Sequence, residues 1–228
     1  TPTRRQRQMC IRDRQDTEGL LAMLSPPVRN WFKDKFPDFT RPQKLAIPAI
    51  MDRKHLLLCS PTGSGKTLTA FLTVIDKLVR MALDGKLKKK VHCVYISPIK
   101  ALANDIQRNL IGPLTEISER YLPDRAQEIK VGLRTGDTPQ SERQRMLKHP
   151  PHILITTPES LAIAITSPKF QPIVSELEYM IVDELHSLVP TKRGVHLGLT
   201  LSYLDTLLQT PVQRIGISAT MELSLIHI

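Results

Sequence analysis

The sequence lacks three features that would assign it to a specialised class of protein. Its three cysteines, Cys10, Cys59 and Cys93, are too few and too widely spaced for a disulfide framework or a metal-binding cluster. No run of about 18 apolar residues occurs, which excludes a transmembrane helix. No segment repeats at a fixed period, which excludes a repeat protein. Cys59 and Cys93 lie in apolar runs, so we expect both to be buried, reduced thiols.

Apolar residues are plentiful enough to form a core. They make up 41% of the 228 residues, which excludes a wholly disordered chain and suits one large domain or two small ones. The formal net charge is +10, and a basic chain of this kind is typical of proteins with a polyanionic partner.

The two ends of the chain do not resemble the rest. One DNA element, read on its opposite strands, encodes residues 4–14 (RRQRQMCIRDR) and residues 223–228 (LSLIHI), and it resembles a transposase-type sequencing adapter. We therefore predict that residues 1–14 and 223–228 are not native and that the domain occupies residues 15–222. The alternative is a genuine basic arm for nucleic acid or a localisation signal. Without the five arginines and one aspartate of residues 4–14, the net charge falls from +10 to +6.

Short apolar runs alternate with longer amphipathic segments along the chain. The runs predict buried parallel strands at His55–Cys59, Val91–Ser97, Ile129–Arg134, His152–Thr156, Tyr179–Asp183 and Gln213–Ser218. The segments between them predict helices at Lys66–Leu83, Ala101–Leu110, Ser141–Leu147, Glu159–Ile165 and Val195–Leu208. This alternation indicates an α/β fold, a mostly parallel β-sheet with helices on both faces.

A phosphate-binding loop follows the first predicted strand and precedes a helix. It reads SPTGSGKT and consists of Ser60, Pro61, Thr62, Gly63, Ser64, Gly65, Lys66 and Thr67. The two glycines let successive backbone N–H groups face phosphate oxygens, and the helix N-terminus adds positive charge. Lys66 would bind the β- and γ-phosphates, and the hydroxyl of Thr67 would ligate Mg²⁺. The alternative is a glycine-rich turn that begins an ordinary helix.

Acidic residues follow another predicted strand, YMIVD. Two carboxylates at the end of a buried strand, Asp183 and Glu184, are costly unless an ion or a partner is present. Asp183 would hold Mg²⁺, and Glu184 would orient and deprotonate the water that attacks the γ-phosphoryl group. His186 would hydrogen-bond toward the γ-phosphate or the next strand. The alternative is a helix N-cap with a charged first turn.

Seven blocks, in this order, resemble the first motor lobe of superfamily 2 helicases. They are Gln43, SPTGSGKT (60–67), SPIKAL (97–102), RTGDT (134–138), TTPESL (156–161), DELH (183–186) and SAT (218–220). Residues 134–170 and 192–199 resemble, more closely, the large helicase-related (Lhr) family of bacteria and archaea. The resemblance covers about residues 28–222 and implies a RecA-like P-loop domain that binds ATP and Mg²⁺.

The resemblance also implies a role for individual positions. Gln43 would read the adenine base and Phe39 would stack on it. The strand of nucleic acid would contact Ser97, Pro98, Lys100, Thr135, Gly136, Asp137, Thr157, Pro158 and Glu159. Ser218, Ala219 and Thr220 would couple the two sites. Taken singly, the TPES block could be an ordinary helix start and SAT an ordinary turn, while Lys100, Arg134 and Arg193 could be plain surface charges.

The function implied for the intact protein is that of an ATP-dependent helicase. It would move on single-stranded nucleic acid, DNA favoured over RNA, in the 3′-to-5′ direction, and serve DNA repair. In this family ATP lies between two lobes, and we expect the second RecA-like lobe to be absent from this chain. The chain alone would then bind Mg·ATP weakly and hydrolyse it barely, because arginines of the second lobe are missing. With no signal peptide or membrane span, we expect a cytoplasmic protein.

Two other functions remain open. The first is a superfamily 2 translocase that does not unwind duplexes, such as a remodelling or restriction subunit. The second is a non-catalytic nucleic-acid-binding module, although intact Lys66, Asp183 and Glu184 argue against it.

Overall fold

A computed structural model describes residues 17–98, 103–124 and 126–219. Both predicted adapter segments lie outside these residues. So do Cys10, Lys100 and Thr220.

The described residues form one parallel sheet of six strands. The strands are β1 (Leu56–Cys59), β2 (Cys93–Ile96), β3 (Val131–Arg134), β4 (Ile153–Thr156), β5 (Tyr179–Val182) and β6 (Gln213–Ser218). Their order in space is β1-β6-β5-β2-β4-β3, and every neighbouring pair is parallel. All six predicted strands are confirmed, each within two residues at either end.

Helices cover both faces of the sheet. They are α1 (Thr17–Met23), α2 (Pro26–Lys35), α3 (Arg41–Met51), α4 (Lys66–Leu83), α5 (Ala103–Ile106), α6 (Gly112–Tyr121), α7 (Gln140–Lys148), α8 (Pro158–Ile165), α9 (Gln171–Val174), α10 (Leu185–Leu188) and α11 (Lys192–Leu207). Alternate residues of β5 belong to different cores: Tyr179 and Ile181 pack with α1–α4, whereas Met180 and Val182 pack with α8, α9 and α11. The predicted α/β class is therefore confirmed.

The two edge strands are more exposed than a continuous apolar run predicts. Leu57 in β1 is 46% exposed and Leu133 in β3 is 54% exposed, because each strand has a neighbour on one side only. Cys59, at the end of β1, is also exposed, whereas Cys93 in β2 is buried. The expectation of two buried thiols was therefore wrong for Cys59.

Three helices before the phosphate loop, α1–α3, were not predicted. Prolines at 26, 27, 42 and 48 obscure the helical pattern of α2 and α3 in the sequence. Pro26, Pro27 and Pro42 occupy first-turn positions, where the missing N–H has no helical partner in any case. Pro48 lies inside α3.

A π-helical turn lengthens the helix predicted at Ala101–Leu110. Residues Gln107–Ile111 form this turn, and the helix continues as α6 to Tyr121. The N–H of Gly112 donates to the carbonyl of Gln107, five residues back. Pro113 follows directly and has no N–H, so a local departure from α-helical bonding costs less there.

The start of α11 packs closely against the segment that follows the acidic strand end. The hydroxyl of Thr191 accepts the N–H of Gly194 (3.3 Å), so the helix begins three residues earlier than predicted. A Cβ on Gly194 would lie 2.8 Å from the carbonyl carbon of Leu188 and closer still to its oxygen. Only glycine therefore fits here without a backbone shift.

Gly194→Ala is expected to destabilise the fold by about 1–3 kcal/mol, the usual cost of overpacking. Gly198→Ala in the same helix is the matched control, since a Cβ there meets nothing within 4 Å. That change is expected to stabilise by about 0.5–1 kcal/mol, because alanine is the better helix former. Urea unfolding of both variants measures the difference, and equal stabilities would contradict the packing described.

Among the described residues, no helix is both long and apolar enough to cross a membrane.

Candidate functional site

The phosphate-binding loop has the backbone that its glycines predict. Gly63 and Gly65 have φ values of 81° and 82°, in the left-handed region that favours glycine. Gly65 is the N-cap of α4, and Lys66 begins that helix. The ammonium of Lys66 donates to the backbone carbonyls of Ser60 and of Pro61 (2.8 Å). The loop therefore turns from β1 into a helix N-terminus, as a phosphate site requires.

The loop also has a polar group without a hydrogen-bond partner, which suits an anionic ligand. The buried hydroxyl of Ser64 has no hydrogen-bond partner among the described residues. A Cβ at Gly63 would meet nothing within 4 Å, so the space over the loop is open. These features, together with Lys66, fit the phosphates of a nucleotide.

Gln43 and Phe39 lie beside this loop, with contacts of their own. The amide oxygen of Gln43 accepts the N–H of Thr40 (2.8 Å) in a capping box at the start of α3. Its amide nitrogen lies 2.9 Å from where a Cβ on Gly65 would stand. Phe39 is buried and stacks on Phe32 with 4.0 Å between ring centroids. Their adenine-binding roles stay predictions.

Asp183 lies directly after β5 and is held at both carboxylate oxygens. Oδ1 accepts the N–H of Glu184 (2.8 Å), and Oδ2 accepts the hydroxyl of Tyr95 from the neighbouring strand β2. Burial raises the pKa of Asp183, while the bonds from Tyr95 and Glu184 and the charge of Lys66 act in the opposite direction. A buried carboxylate fixed in this way is oriented to bind a cation, since each oxygen has a second lone pair.

Glu184 is connected to β6 through His186. Its Oε2 lies 3.3 Å from Nε2 of His186, and Nδ1 of His186 lies 3.1 Å from the hydroxyl of Ser218. Glu184 occupies the N-cap position of α10 but makes no side-chain capping bond. It also has φ of 50°, which is uncommon for a residue other than glycine. The alternative of an ordinary helix cap is therefore not favoured, and the unusual backbone is typical of functional positions.

The predicted blocks follow the carboxyl ends of the parallel strands, so they lie along one edge of the sheet in two neighbouring groups. The phosphate loop, SAT and DELH follow β1, β6 and β5, which are adjacent in the sheet. The SPIK, TPES and TGD blocks follow β2, β4 and β3, which form the other half. Ile96 pairs with both Val182 and Thr156, so the strands of the two halves end level with each other. The predicted nucleotide and nucleic-acid groups thus lie side by side.

Hydrogen bonds within and between the loops of the second half hold them in place. The N–H of Ser97 donates to the carbonyl of Thr156 (3.0 Å). Thr157 caps α8 by accepting the N–H of Ser160 (3.4 Å), and Pro158 is the first residue of that helix. Arg143 of α7 donates to the carbonyl of Gly136 (2.8 Å).

Two arginines that could have been plain surface charges make specific contacts. Arg134 is only 8% exposed, and its guanidinium lies 5.0 Å from the ring centroid of Phe170. Arg193 pairs with Glu159, its Nε lying 2.6 Å from the Oε1 atom. The hydrogen bond from Arg193 is also the largest factor that lowers the pKa of Glu159. Ala219 follows Ser218 at the end of β6.

Sequence reasoning missed the part that Tyr95 plays in the site. Tyr95 was taken as one apolar residue of the strand run, although a tyrosine hydroxyl needs a partner when buried. That rule was the signal that could have found it. The partner, Asp183, is 88 residues away, and only the pairing of β2 with β5 identifies it.

The family follows from this arrangement together with a sequence comparison. A profile of the DEAD/DEAH box helicase family matches residues 40–227. The chain belongs to the DEAD/DEAH box helicase family. It is 50% identical over 206 residues to the ATP-dependent helicase Lhr-Core of Methanocaldococcus jannaschii, covering 90% of this chain and 24% of that protein. It is 44% identical over 218 residues to the Lhr helicase/uracil glycosylase of Escherichia coli, covering 92% and 14% respectively.

Solved structures confirm the RecA-like helicase fold and the resemblance to Lhr. The helicase Lhr of Mycobacterium smegmatis, bound to single-stranded DNA and AMP-PNP, matches with a TM-score of 0.80 and 45% identity over 90% of this chain and 26% of that one. The DUF1998 helicase MrfA, bound to DNA and AMPPNP, matches with a TM-score of 0.71 and 25% identity over 88% and 27%. This helicase-family chain thus spans about a quarter or less of its relatives' length.

Proposed function

We propose that the protein containing this chain is an ATP-dependent helicase of the Lhr type. The observation that carries this proposal is the single edge of the sheet, where a phosphate loop and an acidic pair adjoin three loops of the nucleic-acid blocks. The names of the Lhr-Core relatives support the same activity.

The nucleotide half would bind ATP and direct the attacking water. Lys66 and the N–H groups of the loop would hold the phosphates, and Thr67 and Asp183 would hold Mg²⁺. Mg²⁺, when bound, neutralises charge on the phosphates. Glu184 would accept a proton from the attacking water, and His186 would hold the Glu184 carboxylate in place.

The donor set fits Mg²⁺ better than a metal held by protein alone. The described residues contain no group of three or more histidine, cysteine or acidic side chains placed to hold a metal ion. Mg²⁺ commonly takes only one or two protein oxygens, completing its shell with water and substrate phosphates. Asp183 and Thr67 meet that requirement.

The second half of the edge would hold a single nucleic-acid strand by its backbone. The contacts would come from Ser97, Pro98, Thr135, Gly136, Asp137, Thr157, Pro158 and Glu159, together with Lys100. Small residues and loop amides suit phosphate contacts that are independent of base sequence. We favour DNA over RNA, since the Lhr and MrfA neighbours are described as bound to DNA. The proposal includes 3′-to-5′ movement and a role in DNA repair.

A second RecA-like lobe would complete the ATP-binding site. Arginines from such a lobe stabilise the transferring phosphoryl group and contribute about 10³–10⁵ in rate. We propose that residues 15–222 form the first lobe and that this chain alone hydrolyses ATP barely. Ser218 and Ala219, with Thr220, would pass changes at the nucleotide to the strand-binding half through the bond from Ser218 to His186.

A strand-displacement assay tests the proposal against a translocase that does not unwind. The full-length protein, given ATP and Mg²⁺, should release the labelled strand of a partial duplex with a 3′ single-stranded tail. A duplex with a 5′ tail is the control for direction. Stimulated ATP hydrolysis without strand release from either duplex would favour the non-unwinding translocase.

Tyr95→Phe is expected to weaken binding of Mg·ADP by about tenfold, the size usual for losing an outer-shell partner of a metal ligand. The ring keeps its place in the core, while Oδ2 of Asp183 loses its donor. Binding of ADP in EDTA should not change. Fluorescent ADP titrations with and without Mg²⁺ measure both affinities, with Tyr203→Phe, a 42% exposed tyrosine, as the control. Equal loss in EDTA would contradict a role through the metal.

A further inference from the structure

Arg193 joins three segments that are far apart in the sequence. It lies in the first turn of α11. Its Nε donates to Oε1 of Glu159 (2.6 Å), and its Nη2 donates to Oε2 of Glu159 (3.3 Å). The same Nη2 donates to the backbone carbonyl of Pro98 (3.1 Å). One guanidinium therefore connects the loop after β2, the start of α8 and the start of α11.

The electrostatics explain why the first turn of α8 needs this arginine. The proposed contact of Glu159 with the phosphate backbone would come from its backbone N–H, because an unpaired carboxylate among these loops would repel the ligand. Arg193 holds the pKa of Glu159 below its usual range, so the carboxylate is ionised and paired at neutral pH. The charge of Arg193 is thereby directed toward Glu159.

The geometry indicates positioning more than stability. The side chains of Arg193 and Glu159 are 46% and 50% exposed, and exposed pairs of this kind contribute little to folding. Two donors on two carboxylate oxygens nonetheless fix the relative orientation of the groups, because the guanidinium is planar. The third bond, to Pro98, extends this fixed arrangement to the neighbouring loop.

The backbone of Arg193 is itself anchored close to the acidic strand end. The N–H and the hydroxyl of Thr191 both donate to the carbonyl of Leu188, at 2.9 and 2.8 Å. Leu188 ends α10, which begins one residue after Glu184. The arginine is therefore held on the segment that connects the two halves of the site.

We propose that Arg193 is a positioning residue that holds the loop after β2 and the start of α8 in one arrangement for single-stranded nucleic acid. It acts through Glu159 and Pro98 and does not bind phosphate itself. This inference rests on the proposed function, since it assigns an arrangement to the same strand-binding loops.

Binding of a fluorescein-labelled oligo-dT to the full-length protein, followed by anisotropy over a range of salt concentrations, tests this role. Arg193→Ala and Glu159→Gln are each expected to weaken binding by about tenfold, as for partners in one network. The double variant should bind no more weakly than either single one. Arg193→Lys keeps the charge but loses the planar fork, and should resemble Arg193→Ala. The slope of log K against log salt should stay unchanged in Arg193→Lys, which keeps both charges, and in the double variant, which removes both.

Arg214→Ala is the matched control. Arg214 pairs with Asp205 at similar exposure, but it lies near the start of β6, at the amino ends of the strands and away from the loops of the site. Its loss should leave oligo-dT binding unchanged. Thermal unfolding of every variant separates weakened binding from a folding defect.

Three results would overturn the inference. A salt slope reduced by about 0.7 in Arg193→Ala, with Glu159→Gln binding as well as the wild type, would make Arg193 a direct phosphate contact. Full affinity in Arg193→Lys would mean that charge alone suffices. Unchanged affinity in both single variants would reduce the pair to a surface contact. Failure of the wild type to bind oligo-dT at low salt would instead contradict the proposed function, and this inference would fall with it.

Discussion

Glu184→Gln is expected to lower ATP hydrolysis by the full-length protein by about 10²–10⁴-fold, the usual contribution of a general base. The amide has the size of the carboxylate but cannot accept a proton from the attacking water. The affinity for ATP should change little, because the phosphate loop and Asp183 remain intact. Single-turnover hydrolysis and a separate binding titration measure the two quantities.

Glu142→Gln provides the control for this prediction. Glu142 is an exposed glutamate in the first turn of α7, so its loss should leave hydrolysis unchanged. Hydrolysis within about tenfold of the wild type in Glu184→Gln would be too small an effect for a general base. Glu184 would then have a structural role at the turn where its φ is 50°.

Lys66→Ala is expected to weaken ATP binding by about a hundredfold, since hydrogen bonds to a charged group contribute about 1.5–3 kcal/mol each. Lys66 is only 8% exposed, and its ammonium donates to two carbonyls of the loop. Its removal therefore takes away the charge that would meet the phosphates and also loosens the loop. Hydrolysis at saturating ATP should fall as well.

Lys77→Ala, in the same helix, tests whether losing any lysine charge of this helix would weaken ATP binding. Its ammonium lies 3.9 Å from Glu178 and its side chain is 45% exposed. Titration of both variants with a fluorescent ATP analogue should show a large loss for Lys66→Ala and none for Lys77→Ala. Equal affinities in the two variants would contradict the assigned phosphate site.

Strand and loop positions could be predicted well because their signals are local. Apolar runs marked all six strands, and the glycines at 63 and 65 marked a turn that the structure places in left-handed backbone. The helix at Lys66–Leu83 was predicted to the residue, since a glycine N-cap and a long amphipathic pattern define it.

The predictions that failed concern features that depend on tertiary structure. Nothing in LLLC shows that β1 lies at the edge of the sheet, and this position is why Cys59 is exposed. The helices α2 and α3 were missed because prolines break a helical pattern in the sequence, although a first-turn proline is tolerated in the structure.

The contacts that tune the site are also long-range. Tyr95 and Asp183 are 88 residues apart, and Arg193 and Glu159 are 34 apart. A resemblance between motifs can suggest that each residue matters, but it does not show which pairs meet. The pairing of β2 with β5 and the packing of α8 on α11 bring them together.

The most direct test of the account is ATP hydrolysis by the full-length protein, measured with and without single-stranded DNA. We expect a large stimulation by DNA that is abolished in Lys66→Ala, because the carboxyl ends of the strands serve both ligands. Stimulation by RNA and not by DNA would show that the preferred nucleic acid is RNA. No hydrolysis with either nucleic acid would contradict the central claim and favour a binding module without turnover.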